Sequence, residues 1–176
     1  MENSFFTYLE LLELMIFFSG YTLIYFLICV VAETGFVKRL FKTNISFLLP
    51  YAYALSGMLY LGLQLKSLYP DYSLEHIKIG TQVPLLKIWA LLSLLFIIPA
   101  FSKKPFFSLL HSLVFFFFLL RDLILNGFST SDSSILKNDM NIYTYSLLIN
   151  LAAFVFVLLV YSLFNKLRKN KTAQNG

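Results

Sequence analysis

Residues 14–32, 43–65 and 142–164 contain no charged side chain, and residues 83–101 contain only Lys87. A helix needs about 20 mostly apolar residues to cross a bilayer. Inside lipid, every backbone N–H and C=O must be satisfied within the protein, which leaves helices as the natural spanning element for runs this long. A fifth run, 106–125, contains the segment HSLVFFFFLLRDLIL (111–125), with His111 at its head and Arg121 and Asp122 near its end. The expected architecture is an all-α integral membrane bundle of five transmembrane helices, near 12–33, 44–65, 83–101, 106–125 and 142–164. It forms one membrane domain over residues 1–176, with a basic tail at 165–176.

Composition supports the same class. Hydrophobic residues make up 59% of the chain and charged residues 13%, against about a quarter charged in soluble domains. A soluble fold could not hide that much apolar surface, and what remained exposed would aggregate. The single cysteine, Cys29, excludes an intramolecular disulfide and a multi-Cys metal site. It lies in an apolar run, where an inert thiol is expected. The chain begins Met-Glu-Asn without a basic stretch, so no cleaved signal peptide is expected.

The loops give an orientation. Lys38, Arg39 and Lys42 follow the first run, Lys103 and Lys104 the third, and Lys166, Arg168, Lys169 and Lys171 the fifth. The alternate loops carry Lys66, Lys78 and Lys137, diluted by Asp71, Glu75, Asp132 and Asp139. The positive-inside rule therefore puts the N-terminus outside and the C-terminal tail in the cytoplasm, with a bacterial cytoplasmic (inner) membrane as the expected location. The net charge of +5 then reflects juxtamembrane basic turns facing anionic lipid, and nucleic acid is not an expected partner. The sequons at Asn44 and Asn170 fall on the cytoplasmic side and should stay unmodified. Tyr51 and Tyr161 fall near inner ends, and Tyr69, Tyr72, Tyr143 and Tyr145 near outer ends, as aromatic belts do. The stretch 68–80 is expected to include an interfacial helix with Leu74 and Ile77 toward lipid, and 126–141 reads as a turn-rich loop.

Polar residues at membrane depth are costly and so become candidates for function, with helix packing as the competing explanation. Tyr53, Ser56, Tyr60 and Gln64 recur every three or four residues and form one stripe, flanked by Gly57 and Gly62. That stripe reads as a packing face or as one wall of a ligand cleft with Gln64 at its outer mouth. Asn150 lies mid-span with Ser146 one turn before it, which suits an interhelical hydrogen bond. Lys87 sits near the start of its run, where its stem can carry the ammonium back to the interface. Glu33 has loop cations close by in sequence. His111 and Asp122 are eleven residues apart and share a helix face, separated by about 16 Å along the axis. Arg121 and Asp122 fall at the outer boundary, whereas His111 is too deep to reach water and suits a neutral histidine bonded between helices. The candidate ligand-binding cluster is Tyr53, Tyr60, Gln64, His111, Arg121, Asp122 and Asn150. His76 and His111 are the only histidines, on different segments, so no metal site is expected. No motif for nucleotide binding, zinc hydrolysis or a serine nucleophile occurs, and an enzyme using His111 or Asp122 as a base is the least supported class.

The stretch ALSGMLYLGLQLKSLYPD (54–71) and the stretch HIKIGTQVPLLKIWALLSLLFIIP (76–99), followed by a basic turn and a further helix, resemble the DoxX-like superfamily of small membrane proteins in layout over residues 54–125. The resemblance implies four core helices and a role as an accessory subunit in quinone, thiosulfate or oxidative-stress chemistry. It makes quinone the one cofactor to consider. The acidic residue and paired glycines of that family's second core helix are replaced here by Lys87 and Trp89, an extra N-terminal span is present, and no catalytic residue carries over. Two functions follow as expectations. One is an accessory or assembly subunit of a larger membrane complex, with other membrane subunits or a homo-oligomer as partners. The other is a small transporter or lipid- or quinone-binding protein with a polar intramembrane cavity.

Overall fold

The computed structural model describes residues 2–33, 45–67, 69, 83–129 and 133–174; of these, 2–9, 32, 33, 122, 126–129, 133–139 and 169–174 are described by backbone alone. The Lys38, Arg39 and Lys42 turn, the Asn44 sequon and the expected interfacial helix with Leu74 and Ile77 lie outside the described residues. The described chain is helical: α1 Glu2–Phe18, α2 Tyr21–Glu33, a tight turn Ile45–Leu48, α3 Leu49–Ser67 and α4 Pro84–Leu91. A 3-10 stretch Leu92–Ile97 follows, then α5 Pro99–Ser102, α6 Pro105–Ser129 and α7 Ser133–Gln174. Four spans are long and apolar enough to cross a membrane: Glu10–Val31, Ile45–Ser67, Pro105–Leu125 and Met140–Arg168.

Three elements depart from the sequence reading. The first span is interrupted at Ser19–Gly20, between α1 and α2, where a continuous helix is expected from its unbroken apolar run. The third run forms a shorter apolar helix, Pro84–Ile97. It ends at Ile98, whose backbone is extended (φ −73°, ψ 130°) because Pro99 follows it. The expected loop 126–141 is helical except for 130–132, which lie outside the described residues. Its Ser, Asp and Asn residues are poor helix nucleators, but extending a helix already nucleated by the apolar run at 142–164 adds one hydrogen bond per residue fixed.

The core is aromatic and centred on the interrupted span. Phe18 stacks on Phe115 (4.9 Å between centroids) and meets Tyr53 and Tyr60 edge-on at 5.7 and 5.5 Å. Tyr21 lies 4.4 Å from Tyr53. Aromatic pairs at these separations contribute about 0.5–1.5 kcal/mol each beyond the area they bury.

Small residues set the closest approaches. A methyl group on Gly57 would press on the Ser93 side chain, so α3 crosses the 3-10 stretch there. Side chains three apart eclipse in a 3-10 helix. Ser93 and Phe96 accordingly stack on the buried side, while Leu92 and Leu95 stack on the exposed side. Ser102 donates to the Tyr51 hydroxyl (2.9 Å) and ties α5 back to α3 beyond the break at Ile98.

Candidate functional site

Helical spacing divides the phenylalanine run. Ser108, His111, Ser112, Phe115 and Leu119 are buried on one face of α6, and Phe106, Leu110 and Phe117 are exposed on the other. The buried face is bolted to its neighbours by hydroxyls. Ser108 donates to the Pro105 carbonyl (2.6 Å), so the Tyr21 hydroxyl donates to Ser108 (2.7 Å). Ser112 donates to the Leu109 carbonyl (2.9 Å), so Thr22 donates to Ser112 (2.9 Å).

His111, 8% exposed, continues this face toward α3. Its Nδ1 lies 2.7 Å from the Tyr53 hydroxyl. With the phenol donating, the imidazole proton resides on Nε2, a tautomer assigned from the bonding pattern. Nε2 is buried and has no hydrogen-bond partner among the described residues. An unpaired buried donor costs about 1–3 kcal/mol, so it stands out on a face where Ser108 and Ser112 are both satisfied. Trp89 lies flat on the imidazole, at 4.7 Å and 4°, and its indole N–H donates to the His111 carbonyl (3.3 Å). Phe96 meets the same ring edge-on at 5.8 Å.

Beside this histidine is a cleft of about 260 Å³, lined by Trp89, Leu92, Leu95, Phe101, Phe107 and His111 among others. It opens to the surface of the bundle: Leu92, Leu95, Phe101 and Phe107 are 38–43% exposed. A polar donor at the margin of an apolar recess is the usual arrangement for binding a lipophile with one acceptor group.

The remaining candidate residues occupy two other places. Asn150 and Ser146 on α7 serve the break in the first span. Ser146 donates to the Met15 carbonyl (2.9 Å) and accepts from the Gly20 N–H (2.7 Å). Asn150 donates to the Phe17 and Ser146 carbonyls (3.0 and 2.9 Å) and accepts from Ser56 (3.2 Å). Such side chains are what let a spanning helix be interrupted within a bilayer.

Gln64 and Tyr60 belong to a cluster at the far end of α3. Gln64 donates to Glu13 (3.1 Å), and Lys87 pairs with Glu10 (3.0 Å), whose other oxygen accepts the Val83 N–H (3.1 Å). Lys87 is therefore held by an ion pair rather than snorkelling alone. Gln64 faces α1 and does not stand at the mouth of the His111 cleft. The Tyr60 hydroxyl is buried without a partner among the described residues. Removing one member of a pair that is only 12–17% exposed leaves a charge uncompensated. Glu10→Gln is thus expected to lower stability by about 2 kcal/mol, between the surface and the fully buried cases. Adding Lys87→Met should recover much of the loss, read as a double-mutant cycle of unfolding midpoints in detergent.

Arg121 is exposed, with its guanidinium 5.5 Å from the Phe118 ring centre, and does not join His111. The Asp122 and Glu33 side chains lie outside the described residues. Sequence reasoning missed Glu10, Glu13, Ser19 and Gly20, and gave Trp89 no role. The spacing of Glu10, Glu13 and Phe17 along one helix face was the available signal for the carboxylates. Comparison with family models, characterised proteins and solved structures finds no match for this chain.

Proposed function

We propose that this is a five-span protein of a bacterial cytoplasmic membrane that binds a lipophilic molecule laterally through the His111 cleft, as a non-catalytic accessory subunit. The unpartnered Nε2 of His111 beside an apolar recess is the observation that carries the reading. Gln64 and Asn150 are tied into interhelical bonds away from the His111–Tyr53 pair, which favours binding from the lipid side over passage through one polar cavity. The DoxX-like layout points the same way, toward quinone-linked accessory subunits.

The fifth span is supported by its apolar composition, with tight winding making up part of its shortfall in length. The stretch Pro84–Ile97 rises about 24 Å because part of it is wound as 3-10 helix, against a hydrocarbon core of about 30 Å. With the N-terminus outside and the tail inside, Lys103 and Lys104 mark its cytoplasmic end. In a Cys29→Ser background, a cysteine placed at Lys166 should react only with a thiol reagent admitted to the cytoplasmic face; labelling from outside would reverse the orientation.

Trp89, the single tryptophan, lines the cleft and is a built-in reporter. A decyl-substituted benzoquinone is expected to quench its fluorescence saturably. His111→Phe should weaken that binding by about tenfold, the value of one hydrogen bond to the ligand. Leu95→Phe, which fills the recess, should abolish it. Quenching that rises linearly with quinone and ignores both substitutions would sink the proposal. Copurification with other membrane subunits in mild detergent tests the accessory role.

A further inference from the structure

We infer that the cleft seats an amphiphile with an anionic headgroup, its hydrocarbon chain against Trp89, Leu92 and Leu95 and its charge at Lys103 and Lys104. This rests on the lateral-binding reading and names the ligand class.

The cleft wall is continuous with a basic turn. Phe101 and Phe107 both line the recess, and the chain between them contains Lys103 and Lys104. Lys104 is held over Phe107, its ammonium 5.6 Å from the ring centre, so a cation is already parked on a lining side chain. Lys104 and His111 are seven residues apart, which puts them within about 20° of the same face and about 10 Å apart along the helix axis. A ligand lying along that face meets a cation, then aromatic and aliphatic carbon, then the buried His111.

Among the described residues, no carboxylate pairs with these lysines. Residues 83–121 contain no Asp or Glu. Both are exposed, at the end of a recess that is otherwise apolar. An uncharged quinone would use the recess and the donor but leave this turn without a complement. A phospholipid phosphate or a fatty-acid carboxylate supplies that complement, and the two share one chemistry: a hydrocarbon chain carrying an anion.

The full-length protein is reconstituted in vesicles in which phosphatidylglycerol or phosphatidylcholine carries brominated chains, and Trp89 quenching gives the relative occupancy of the cleft. Brominated fatty acid is added in a separate arm. The anionic lipid or the fatty acid is expected to be preferred over phosphatidylcholine by about fivefold per engaged lysine. Which of the two shows the preference identifies the source of the anion. Lys103→Gln/Lys104→Gln should bring the ratio to one, while Lys166→Gln, in the basic tail and not on a segment that lines the cleft, should leave it unchanged. Equal occupancy by anionic and zwitterionic chains in the unmodified protein, or a preference that survives loss of both lysines, overturns the inference. Loss of site quenching for every lipid in Leu95→Phe is expected; quenching indifferent to that substitution tells against the cleft itself rather than against the charge of its ligand.

Discussion

Gly20→Ala is expected to prevent the bundle from holding its native packing. The added methyl would lie 2.6–2.7 Å from backbone atoms of Ser146 and Leu147. A flexible side chain could swing aside from such a contact, but a helix backbone cannot. Overpacking typically costs 1–3 kcal/mol, and here α7 itself must retreat, which places the loss at about 3 kcal/mol or more. Retreat would also stretch the bonds from Gly20 and Met15 to Ser146. The measurement is the thermal midpoint and monodispersity in mild detergent. Gly62→Ala serves as the control, since a methyl there meets nothing within 4 Å. An unchanged midpoint for Gly20→Ala would mean that α7 can back away without losing its grip on the first span.

Asn150→Leu attacks the same junction through its hydrogen bonds. The change removes the donors to the Phe17 and Ser146 carbonyls and the acceptor for Ser56. Interhelical bonds in membranes average about 0.6 kcal/mol, and a carbonyl left unpaired in an interrupted helix adds its own cost, so a loss of about 2–3 kcal/mol is expected. Unfolding by a denaturing detergent would read it. Coupling with Ser56→Ala would identify the part due to that bond. A loss equal to that of an exposed substitution, such as Leu148→Ala, would show that Asn150 only fills space.

The difference between these two residues marks how far the sequence could be read. Asn150 is conspicuous, because an amide in an apolar run has to be satisfied by another helix. Gly20 is not, since a Ser-Gly pair in such a run is unremarkable until the partner helix is known. The long charge-free runs were legible because lipid leaves the backbone little choice but helix. The inward face of α6 was legible in outline, since Ser108, His111 and Phe115 recur at helical spacing. Tyr53 as the partner of His111 was not, because spacing orders one helix at a time and says nothing about which faces meet. Glu10 and Glu13 were passed over because they flank the apolar run, yet they hold Gln64 and Lys87, two residues the sequence did single out.

The tight winding of Leu92–Ile97 has a consequence for the whole third run. Unwound into an ordinary α-helix, those six residues would shorten by about 3 Å, and Phe96 would turn about 60° relative to Ser93. The same twist would separate Leu92 from Leu95 and dissolve the wall they build together. Pitch here acts like the thread of a screw: one turning motion would change both the length of this segment and the width of the recess beside His111.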